Sequence, residues 1–469
     1  MNEALQRYRE AVFGKTVALL GMGVSNRAAV DFLLSMGAVI TARDKNPNPD
    51  GALRAFLSER GVRMIFGEDY LKGIDEDIVY KSPGIRFDLP ELLSARERGC
   101  EITSEMEVFC RLCPARLFAV TGSDGKTTTT TIVSEMLKRT AAKTGGRVYL
   151  GGNIGTPLLP YLTEMTENDF AVLELSSFQL HTMRPKPVSA IVTNVTPNHL
   201  NWHVDMAEYT ESKKNIFRAQ DAGDRLVLNA ENALTRAMAD EAAARVTLFS
   251  SACDPGGARA CFLRDGAIVY RDGAQEYEIM RREDILIPGL HNAENYMAAI
   301  SAVWGTADAQ DMRAVAKEFG GVAHRLQLVS ERGGVRYYNS SIDTSPTRTL
   351  AALSCFDGGL VTIVGGYDKN IPIEPMLFEL MKKSAHIVGT GQTGEAVVNA
   401  VLALGYPAER AVYLAQFDRA VTHAMTLAAP GGAVLLSPAA ASFDAFKNFM
   451  ERGRRFCELV EKAGSDEGC

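Results

Sequence analysis

Residues 117–137 read LFAVTGSDGKTTTTTIVSEML, and this stretch decides the fold of the chain. Its apolar start predicts a strand, Gly122 and Gly125 predict a tight loop, and the residues from Lys126 onward predict a helix. Loop amides and the helix N-terminus direct partial positive charge at a polyphosphate, Lys126 neutralises its terminal phosphates, and the Thr127 hydroxyl can ligate Mg²⁺. The spacing is shorter than in the usual GxxxxGK[ST] loop, and a chance glycine turn is the alternative. We interpret the stretch as a variant P-loop and predict ATP contacts at Gly122, Ser123, Asp124, Gly125, Lys126, Thr127 and Thr128.

Two further apolar stretches, DFAVLELSS and VSAIVTNV, predict parallel strands that end at polar residues on one edge of the sheet. Glu174 ends the first and is either a magnesium ligand, because hard cations prefer oxygen, or a solvated acid. His199 and His203 follow the second, and each is either a ligand or a hydrogen-bonded structural histidine. Lys213 and Lys214 would ordinarily form a charged helix face.

Residues 15–44 predict a strand, a glycine-rich turn, a helix and a second strand. Gly21 and Gly23 match two of the three glycines of the dinucleotide-binding fingerprint, whereas Asn26 occupies the third position. Free amides at the start of the helix favour a nucleotide phosphate, and Asp44 favours contact with a sugar or base. NAD itself and a simple tight turn are the alternatives.

The alternation of strands and helices divides the chain into three parts. From His324 onward the stretches VRYYNSS, LVTIVGGYD, AHIVGTG and GAVLLSP predict a further set of strands. Residues 251–273, with a turn at Asp265 and Gly266, predict a β excursion of the middle part. The expected fold class is therefore α/β, with a Rossmann-like N-terminal domain at 1–113, a central P-loop-type ATPase domain at 114–322 and a Rossmann-like C-terminal domain at 323–469.

Composition indicates a folded globular protein. Of the 469 residues, 46% are hydrophobic and 23% are charged, which excludes a disordered or fibrous chain. The formal net charge of −7 gives no broad basic field for nucleic acid or anionic membrane. We find no signal-peptide pattern and no apolar run long enough for membrane insertion, and the eight scattered cysteines are typical of reduced thiols. We expect a cytoplasmic monomer with no nucleic-acid partner.

The segment LLSPAAASFDAFKNFMERGRRF places Ser442 just before a predicted helix. Phenylalanines at 443, 446 and 449 form an apolar stripe along it, so Ser442 is either a plain N-cap or part of a carboxylate site together with Lys369. Composition does not choose between these interpretations.

The combined motifs carry more information than any one of them. TGSDGKTTTT, GGNIGTP, ELSSFQL, TNVTPNHLNWH, SKKNIF, GLHNAENYMAA, AHRLQ, SPTRTLAAL, GGYDK and LSPAAASFDAFKNF occur in one order. This order resembles the ATP-dependent Mur ligases along essentially the whole chain. SPGI at residues 82–85 and LSPAAASFDAFKNF favour the D-glutamate-adding member, and the absence of a DNPR tetrapeptide disfavours the diaminopimelate-adding relative.

The resemblance implies a reaction and its participants. An N-terminal domain would bind UDP-N-acetylmuramoyl-L-alanine, a central domain would bind ATP, and a C-terminal domain would bind D-glutamate. The alanyl carboxylate would attack the γ-phosphate, and the glutamate amine would displace phosphate from the resulting acyl phosphate. Such chemistry needs charge neutralisation around several anions.

The resemblance also implies site residues, position by position. The catalytic set would be Lys126, His199 and Lys213, with Lys213 carbamylated. Two Mg²⁺ sites would draw on Thr127, Glu174, His199 and Lys213. The UDP-sugar would contact Val24, Ser25, Asp44, Lys45, Ser82, Asn153 and Ser176. ATP would also contact Asn295, His324 and Arg325, and D-glutamate would contact Thr344, Lys369, Ser442 and Phe449.

Three positions depart from the family pattern. Asn46 stands where some relatives carry arginine beside the uracil, and Ile342 stands where some carry lysine. Ser340 replaces a usual aspartate, so Ser340→Asp is expected to tighten ATP binding or raise turnover. Asp343 is close by, but on a strand it would face away from Ser340. A nucleotide-binding regulatory paralogue and another amino-acid-adding ligase, including folylpolyglutamate-type chemistry, are the alternative functions.

Overall fold

The computed structural model describes residues 3–465. The chain forms two compact units: residues up to 280 together with 294–315, and residues 281–293 together with 316 onward. They contain three sheets, each built mainly from parallel strands, so the predicted α/β class with three parallel-sheet domains is confirmed. The predicted boundaries at residues 113 and 322 stay predictions. Within residues 3–465 we find no helix long and apolar enough to cross a bilayer.

The N-terminal sheet forms around the predicted strand, turn, helix and strand. Its elements are α1 (Glu3–Val12), β1 (Thr16–Leu20), α2 (Val24–Ser35), β2 (Val39–Asp44), α3 (Gly51–Glu59), β3 (Arg63–Phe66), β4 (Ile78–Lys81), α4 (Pro90–Glu97), β5 (Glu101–Thr103) and α5 (Glu105–Leu112). The strands are parallel in the order β3-β2-β1-β4-β5. The order reverses at β1, and a ligand crevice in such a sheet lies at that switch point.

The central sheet has nine strands and carries the P-loop. Its part of the chain comprises β6 (Arg116–Thr121), α6 (Lys126–Thr144), β7 (Val148–Gly152), β8 (Phe170–Glu174), α7 (Ser177–Leu180), β9 (Ser189–Val192), α8 (Met206–Lys214), β10 (Arg225–Asn229), α9 (Ala233–Ala237), β11 (Arg245–Ser250), β12 (Arg259–Arg264), β13 (Ala267–Asp272), β14 (Gln275–Arg281), α10 (Leu290–Val303) and α11 (Ala309–Glu318). Strand β6 lies between the parallel strands β8 and β9, so the carboxyl ends of all three meet at one edge. That edge positions the candidate site.

The predicted β excursion lies at the far edge of the central sheet. Strand β13 pairs antiparallel with β12, and β14 follows beyond it. Asp265 and Gly266, at φ 51° and 76°, form the turn between β12 and β13, as expected for a two-residue hairpin loop.

The C-terminal sheet has six strands in the order β15-β16-β20-β17-β18-β19. Its elements are β15 (Gln327–Arg332), β16 (Val335–Asn339), α12 (Pro346–Leu353), β17 (Leu360–Val364), α13 (Glu374–Lys383), β18 (Ser384–Gly389), α14 (Gly391–Ala403), β19 (Ala411–Tyr413), α15 (Phe417–Leu427), β20 (Ala433–Leu436) and α16 (Phe449–Ser465). Strand β15 is antiparallel to β16, and the other pairs are parallel. Four short 3₁₀ helices complete the described residues 3–465, at Leu159–Thr163, Met238–Glu241, Arg282–Asp284 and Ala408–Arg410.

The predicted helix directly after Ser442 is wrong. Ser442 begins a turn, in which its carbonyl accepts hydrogen bonds from the amides of Ala445 and Phe446, and α16 starts only at Phe449. The side chain of Asn448 accepts from the amide of Glu451 at 3.0 Å, and the Glu451 carboxylate accepts from the amide of Lys447 at 2.8 Å. This reciprocal capping fixes the helix start, and the pattern Asn-x-x-Glu was the sequence signal for it.

Candidate active site

The P-loop adopts the predicted strand, loop and helix arrangement. Strand β6 ends at Thr121, Gly122 and Gly125 adopt positive φ angles of 148° and 76°, and α6 begins at Lys126. A side chain at Gly122 would collide with the Thr193 hydroxyl, and one at Gly125 would lie 2.6 Å from Asn295 Oδ1. Both positions therefore require glycine, and the loop amides are held beside the start of α6, where an anion is favoured.

Residues from the loop after β9 and from α8 hold the P-loop in place. The Ser123 hydroxyl lies 2.9 Å from the Tyr209 hydroxyl and donates to the Thr196 carbonyl at 3.0 Å. The amide of Asp124 donates to Asn194 Oδ1 at 2.9 Å. Sequence reasoning missed Tyr209 and Asn194, which lie 86 and 70 residues along the chain from their loop partners.

Oxygen atoms converge where β6, β8 and α6 meet. The Thr127 hydroxyl donates to Glu174 Oε2 at 2.7 Å, and the Asn153 amide donates to Glu174 Oε1 at 2.8 Å. Lys126 Nζ donates to the Ser123 carbonyl at 2.8 Å, so its charge lies at the loop. Hydroxyl and carboxylate oxygens are the ligands that Mg²⁺ prefers, and these residues fit that ion.

Lys213 lies buried behind the loop. Its side chain is 1% exposed, its Nζ donates to the Gly122 carbonyl at 2.7 Å, and it lies 4.4 Å from the Tyr209 ring centroid. Burial, and then the charge of Lys126, hold the pKa of Lys213 well below its usual range. The prediction that both lysines belong to a charged helix face is therefore wrong for Lys213. Lys214 does follow it, because it pairs with Glu211 and Glu241.

His199 belongs to the same group of residues. It has a φ of 55°, and its ring packs edge-on against Phe178 at 4.9 Å. Burial, and then the charges of Lys126 and Lys213, lower the pKa of its imidazole. A neutral imidazole keeps a lone pair free, which a metal ligand needs.

Three other predicted residues have structural roles here. Asn295 is buried, and its Oδ1 accepts from the Thr129 hydroxyl at 3.1 Å, on the first turns of α6. Ser176 caps α7, accepting from the amide of Gln179 at 3.3 Å. Thr128 is buried in α6.

The N-terminal candidate residues gather at the turn between β1 and α2. The Ser82 hydroxyl donates to the Gly21 carbonyl at 2.9 Å, and Asp44 Oδ2 accepts from the Met22 amide at 2.6 Å. Asn26, at the third fingerprint position, donates to the carbonyls of Leu20, Gly21 and Tyr80. It joins β1 to β4 by side-chain hydrogen bonds, where a glycine would allow only close packing. Val24 and Lys45 are exposed and Ser25 is half-buried beside this turn.

The C-terminal candidate residues divide into two groups. Thr344 and Lys369 line one small cavity, together with Tyr367, Ala439 and Ala440. Ser442 and Phe449 are not among the described residues that line it. Phe449 instead packs edge-on against His324 at 6.1 Å, and the amide of Arg325 donates to the Val322 carbonyl.

Arg452, which sequence reasoning missed, organises the loop before α16. It is 2% exposed and donates to the carbonyls of Ala440 and Ala441 and to the Ser341 hydroxyl. Burying a charged guanidinium costs free energy unless it is hydrogen-bonded, so these carbonyls must stay in position around Arg452. It therefore sets the shape of the SPAAAS segment beside Lys369.

The structure corrects the expectation for Ser340 and Asp343. Residues 340–343 follow β16 as a turn and not as strand, and the amide of Asp343 donates to the Ser340 carbonyl at 2.9 Å. The Asp343 carboxylate is hydrogen-bonded to Ser340, and Ser437 donates to it at 2.8 Å. Burial raises the pKa of Asp343 to about 6. A carboxylate therefore remains beside Ser340, and the predicted opposite orientation is wrong.

We accordingly expect Ser340→Asp to destabilise the fold. Two adjacent buried carboxylates cannot both ionise without repulsion, and an imperfectly satisfied buried polar group costs about 1–3 kcal/mol of unfolding free energy. Urea unfolding measures this loss. Gln416→Asp, at the exposed N-cap position of α15 in the same domain, should not lower it, and adding Asp343→Ala to Ser340→Asp should restore much of the loss. Undiminished stability with tighter ATP binding would reinstate the original expectation.

Comparison with known proteins adds independent findings. The N-terminal domain of Mur ligases of the MurD-like type matches residues 15–104, and the Mur ligase middle domain matches residues 120–303. UDP-N-acetylmuramoylalanine–D-glutamate ligase of Acetivibrio thermocellus is 45% identical, covering 98% of this chain and 99% of that protein. The ligase of the same name from Clostridium perfringens is 42% identical, covering 98% of this chain and 99% of that protein. The crystal structure of UDP-N-acetylmuramate-alanine ligase from Thermotoga maritima, at 20% identity and a TM-score of 0.57, covers 96% of this chain and 100% of that one, and it shares the fold.

Proposed function

This chain belongs to the Mur ligase family, and from that premise we propose that it joins D-glutamate to UDP-N-acetylmuramoyl-L-alanine at the expense of ATP, for peptidoglycan synthesis. The observation that carries the proposal is the sequence identity of 40–45%, over nearly the full length, to D-glutamate ligases. The P-loop supports it, because Lys126 lies at the loop and Thr127 contacts Glu174. The enzyme is an ATP-dependent amide-forming ligase.

The proposed reaction has two steps. A carboxylate oxygen of the alanyl group attacks the γ-phosphorus of ATP and ADP leaves, which gives an acyl phosphate. The amine of D-glutamate then attacks the acyl carbon, loses a proton, and expels phosphate as the amide bond forms. Lys126 and the loop amides hold the phosphates and offset the charge that develops during transfer.

Magnesium and a modified lysine complete the proposal. Thr127 and Glu174 would hold one ion, and His199 and Lys213 would hold a second, which offsets phosphate charge when bound. An ammonium at Lys213 would repel such an ion. Its lowered pKa favours the neutral amine, which combines with CO₂ and loses a proton to become an anionic carbamate with oxygen ligands.

Assignments at the outer sites rest on position in the family motifs. Val24, Ser25, Asp44, Lys45, Ser82, Asn153 and Ser176 would bind the UDP-sugar, and Asn295, His324 and Arg325 would bind ATP. Thr344, Lys369, Ser442 and Phe449 would bind D-glutamate. Cytoplasmic location and a monomeric state complete the proposal.

The alternatives fit the site less well. A regulatory paralogue without ligation has no need of a buried, neutral lysine beside the P-loop, yet Lys213 lies there, 2.7 Å from the Gly122 carbonyl. Folylpolyglutamate-type chemistry needs no UDP-sugar domain, yet residues 15–104 match the N-terminal domain of MurD-like ligases. Phosphate release with the candidate acceptors separates all three possibilities.

The choice of amino acid gives the direct test. We expect phosphate release only when the UDP-sugar, ATP and D-glutamate are all present, and we expect L-glutamate to fail. Inverting the α-carbon prevents both carboxylates and the amine from keeping their positions at once. Coupled phosphate assays with each enantiomer measure the ratio, and D-aspartate serves as a control of the same chirality but shorter reach. Equal rates for the two enantiomers would contradict the glutamate-site assignment.

A further inference from the structure

Two histidines and a glutamate form a compact cluster outside the residues assigned to ATP, UDP-sugar or D-glutamate. His181 follows α7, His203 lies in the loop after β9, and Glu208 lies on α8. Candidate ligand atoms of the three side chains lie within 4.8 Å of one another. His181 and His203 are nine-tenths or more buried, and Glu208 is about one-fifth exposed.

Each histidine has one nitrogen tied to a serine and the other aimed at Glu208. His181 Nδ1 lies 2.9 Å from the Ser212 hydroxyl, and His203 Nε2 lies 2.9 Å from the Ser177 hydroxyl. The opposite nitrogens, His181 Nε2 and His203 Nδ1, are buried and face the Glu208 carboxylate. They lie 3.8 and 3.3 Å from the two Glu208 oxygens.

The hydrogen bonds fix the tautomer of His181. The single hydroxyl proton of Ser212 is donated to the Glu208 carbonyl at 2.7 Å, so Ser212 can only accept from His181 Nδ1. His181 Nε2 therefore carries a lone pair and no proton in the neutral ring. Burial lowers the pKa of both histidines, that of His203 to about 4. Both rings are neutral near pH 7, as metal ligands must be.

Glu208 shares its neighbouring cation with a second carboxylate. Arg86 pairs with Glu208 at 2.9 Å, but it pairs equally with Asp88 at 2.7 Å. Glu208 Oε1 keeps a lone pair beyond its bond to Arg86. Glu208 Oε2 accepts from the Val204 amide at 2.8 Å and from Arg86 at 3.3 Å, so an ion at Oε2 would displace the longer of these two bonds. The hydroxyls of Ser212 and Ser177 contact the histidine nitrogens that face away from Glu208. In metal sites, contacts of this kind orient the imidazole rings that bind the metal.

We propose that His181, His203 and Glu208 bind a divalent transition-metal ion of the zinc class, separately from the magnesium sites. With metal–ligand bonds of about 2.0–2.1 Å, ligands at two corners of a tetrahedron lie about 3.3 Å apart. The His203–Glu208 separation of 3.3 Å already matches, and the other separations among the three ligand atoms, all within 4.8 Å, would shorten when an ion binds. Nitrogen ligands select zinc, cobalt or nickel over magnesium.

Such an ion would join α7, the loop after β9 and α8. Glu208 lies five residues before Lys213 on α8, so the ion would fix the helix that carries Lys213. This role is structural, and the proposal does not depend on which substrate the enzyme uses.

The test is zinc binding to the full-length, chelator-treated protein with millimolar magnesium present. A chromogenic chelator competing for Zn²⁺ should report one ion per chain, and Co²⁺ should give the visible bands of a tetrahedral nitrogen and oxygen site without thiolate charge transfer. We expect His181→Ala and Glu208→Gln to weaken zinc affinity at least about tenfold, because changing a residue that only contacts a metal ligand already costs about that much affinity. His423→Ala, on α15, and His199→Ala should bind as the wild type does.

The outcomes separate this proposal from the proposed function. Zinc binding that survives His181→Ala, or wild-type protein that binds no stoichiometric Zn²⁺, overturns the site. Loss of binding in His199→Ala would place the ion at the magnesium site instead. If His181→Ala does not fold, Glu208→Gln and the zinc-dependent rise of the wild-type melting temperature decide the matter, because a ligand of the native state stabilises it.

Discussion

Lys126→Ala is expected to lower ATP-dependent phosphate release at least about 100-fold, the scale set by loss of one donor that stabilises transition-state charge. Lys126 is the first residue of α6, and its Nζ lies at the P-loop, 2.8 Å from the Ser123 carbonyl. The substitution removes a positive charge that would face the transferring phosphate in the proposed reaction. Stopped and steady-state phosphate assays with saturating UDP-sugar and D-glutamate measure the effect.

Lys138→Ala is the matched control for this variant. Lys138 lies on the same helix, is about half exposed and pairs only at the surface with Glu135, so its loss should leave turnover within about twofold of wild type. Thermal unfolding of both variants separates a chemical loss from a folding defect. A folded Lys126→Ala protein that works within about twofold of wild type would contradict the ATP-site assignment.

Lys213→Ala is expected to lose most activity and to regain part of it with acetate. The alanine removes the side chain that we propose to carry a carbamate, and a small carboxylate can enter the vacated space to supply the oxygen ligand. We expect a loss of at least about 100-fold, beyond the 10–100-fold typical when an outer partner of a metal site is removed. Turnover against acetate concentration measures the rescue.

Two variants make the Lys213 prediction specific. Lys213→Arg should stay inactive with or without acetate, because a guanidinium remains cationic and does not form a carbamate. Lys214→Ala removes the neighbouring lysine, which pairs with Glu211 and Glu241, and it should keep near-normal turnover. An active Lys213→Arg enzyme, or an electron-density map with an unmodified ammonium at Lys213 beside a bound metal, would return Lys213 to a purely structural role.

Local sequence pattern predicted much of the fold and part of the site. The P-loop was predictable because strand, loop and helix are contiguous there, and glycines are required where φ is positive. Glu174 could be placed beside the loop because parallel strands end at a common edge. Its actual partners, the Thr127 hydroxyl and the Asn153 amide, depend on side-chain rotamers that the pattern does not specify.

Contacts between distant segments account for what the sequence did not predict. Tyr209 and Asn194 hold the loop through the hydroxyl of Ser123 and the amide of Asp124, and their residue types carry no such signal in isolation. The helix after Ser442 was predicted too early because the phenylalanine spacing outweighed the capping signal at Asn448. Asp343 was assigned to a strand that ends four residues earlier, at Asn339.

The most direct test of the account follows the oxygen of the substrate carboxylate. UDP-N-acetylmuramoyl-L-alanine labelled with the heavy oxygen isotope in its alanyl carboxylate is incubated with ATP and D-glutamate, and the products are analysed by mass spectrometry. Because one carboxylate oxygen bonds to the γ-phosphorus and leaves with it, the account predicts one heavy oxygen in the released phosphate and the other in the new amide, in a product heavier by one glutamyl residue. Unlabelled phosphate, or phosphate release without the glutamyl product, would contradict it.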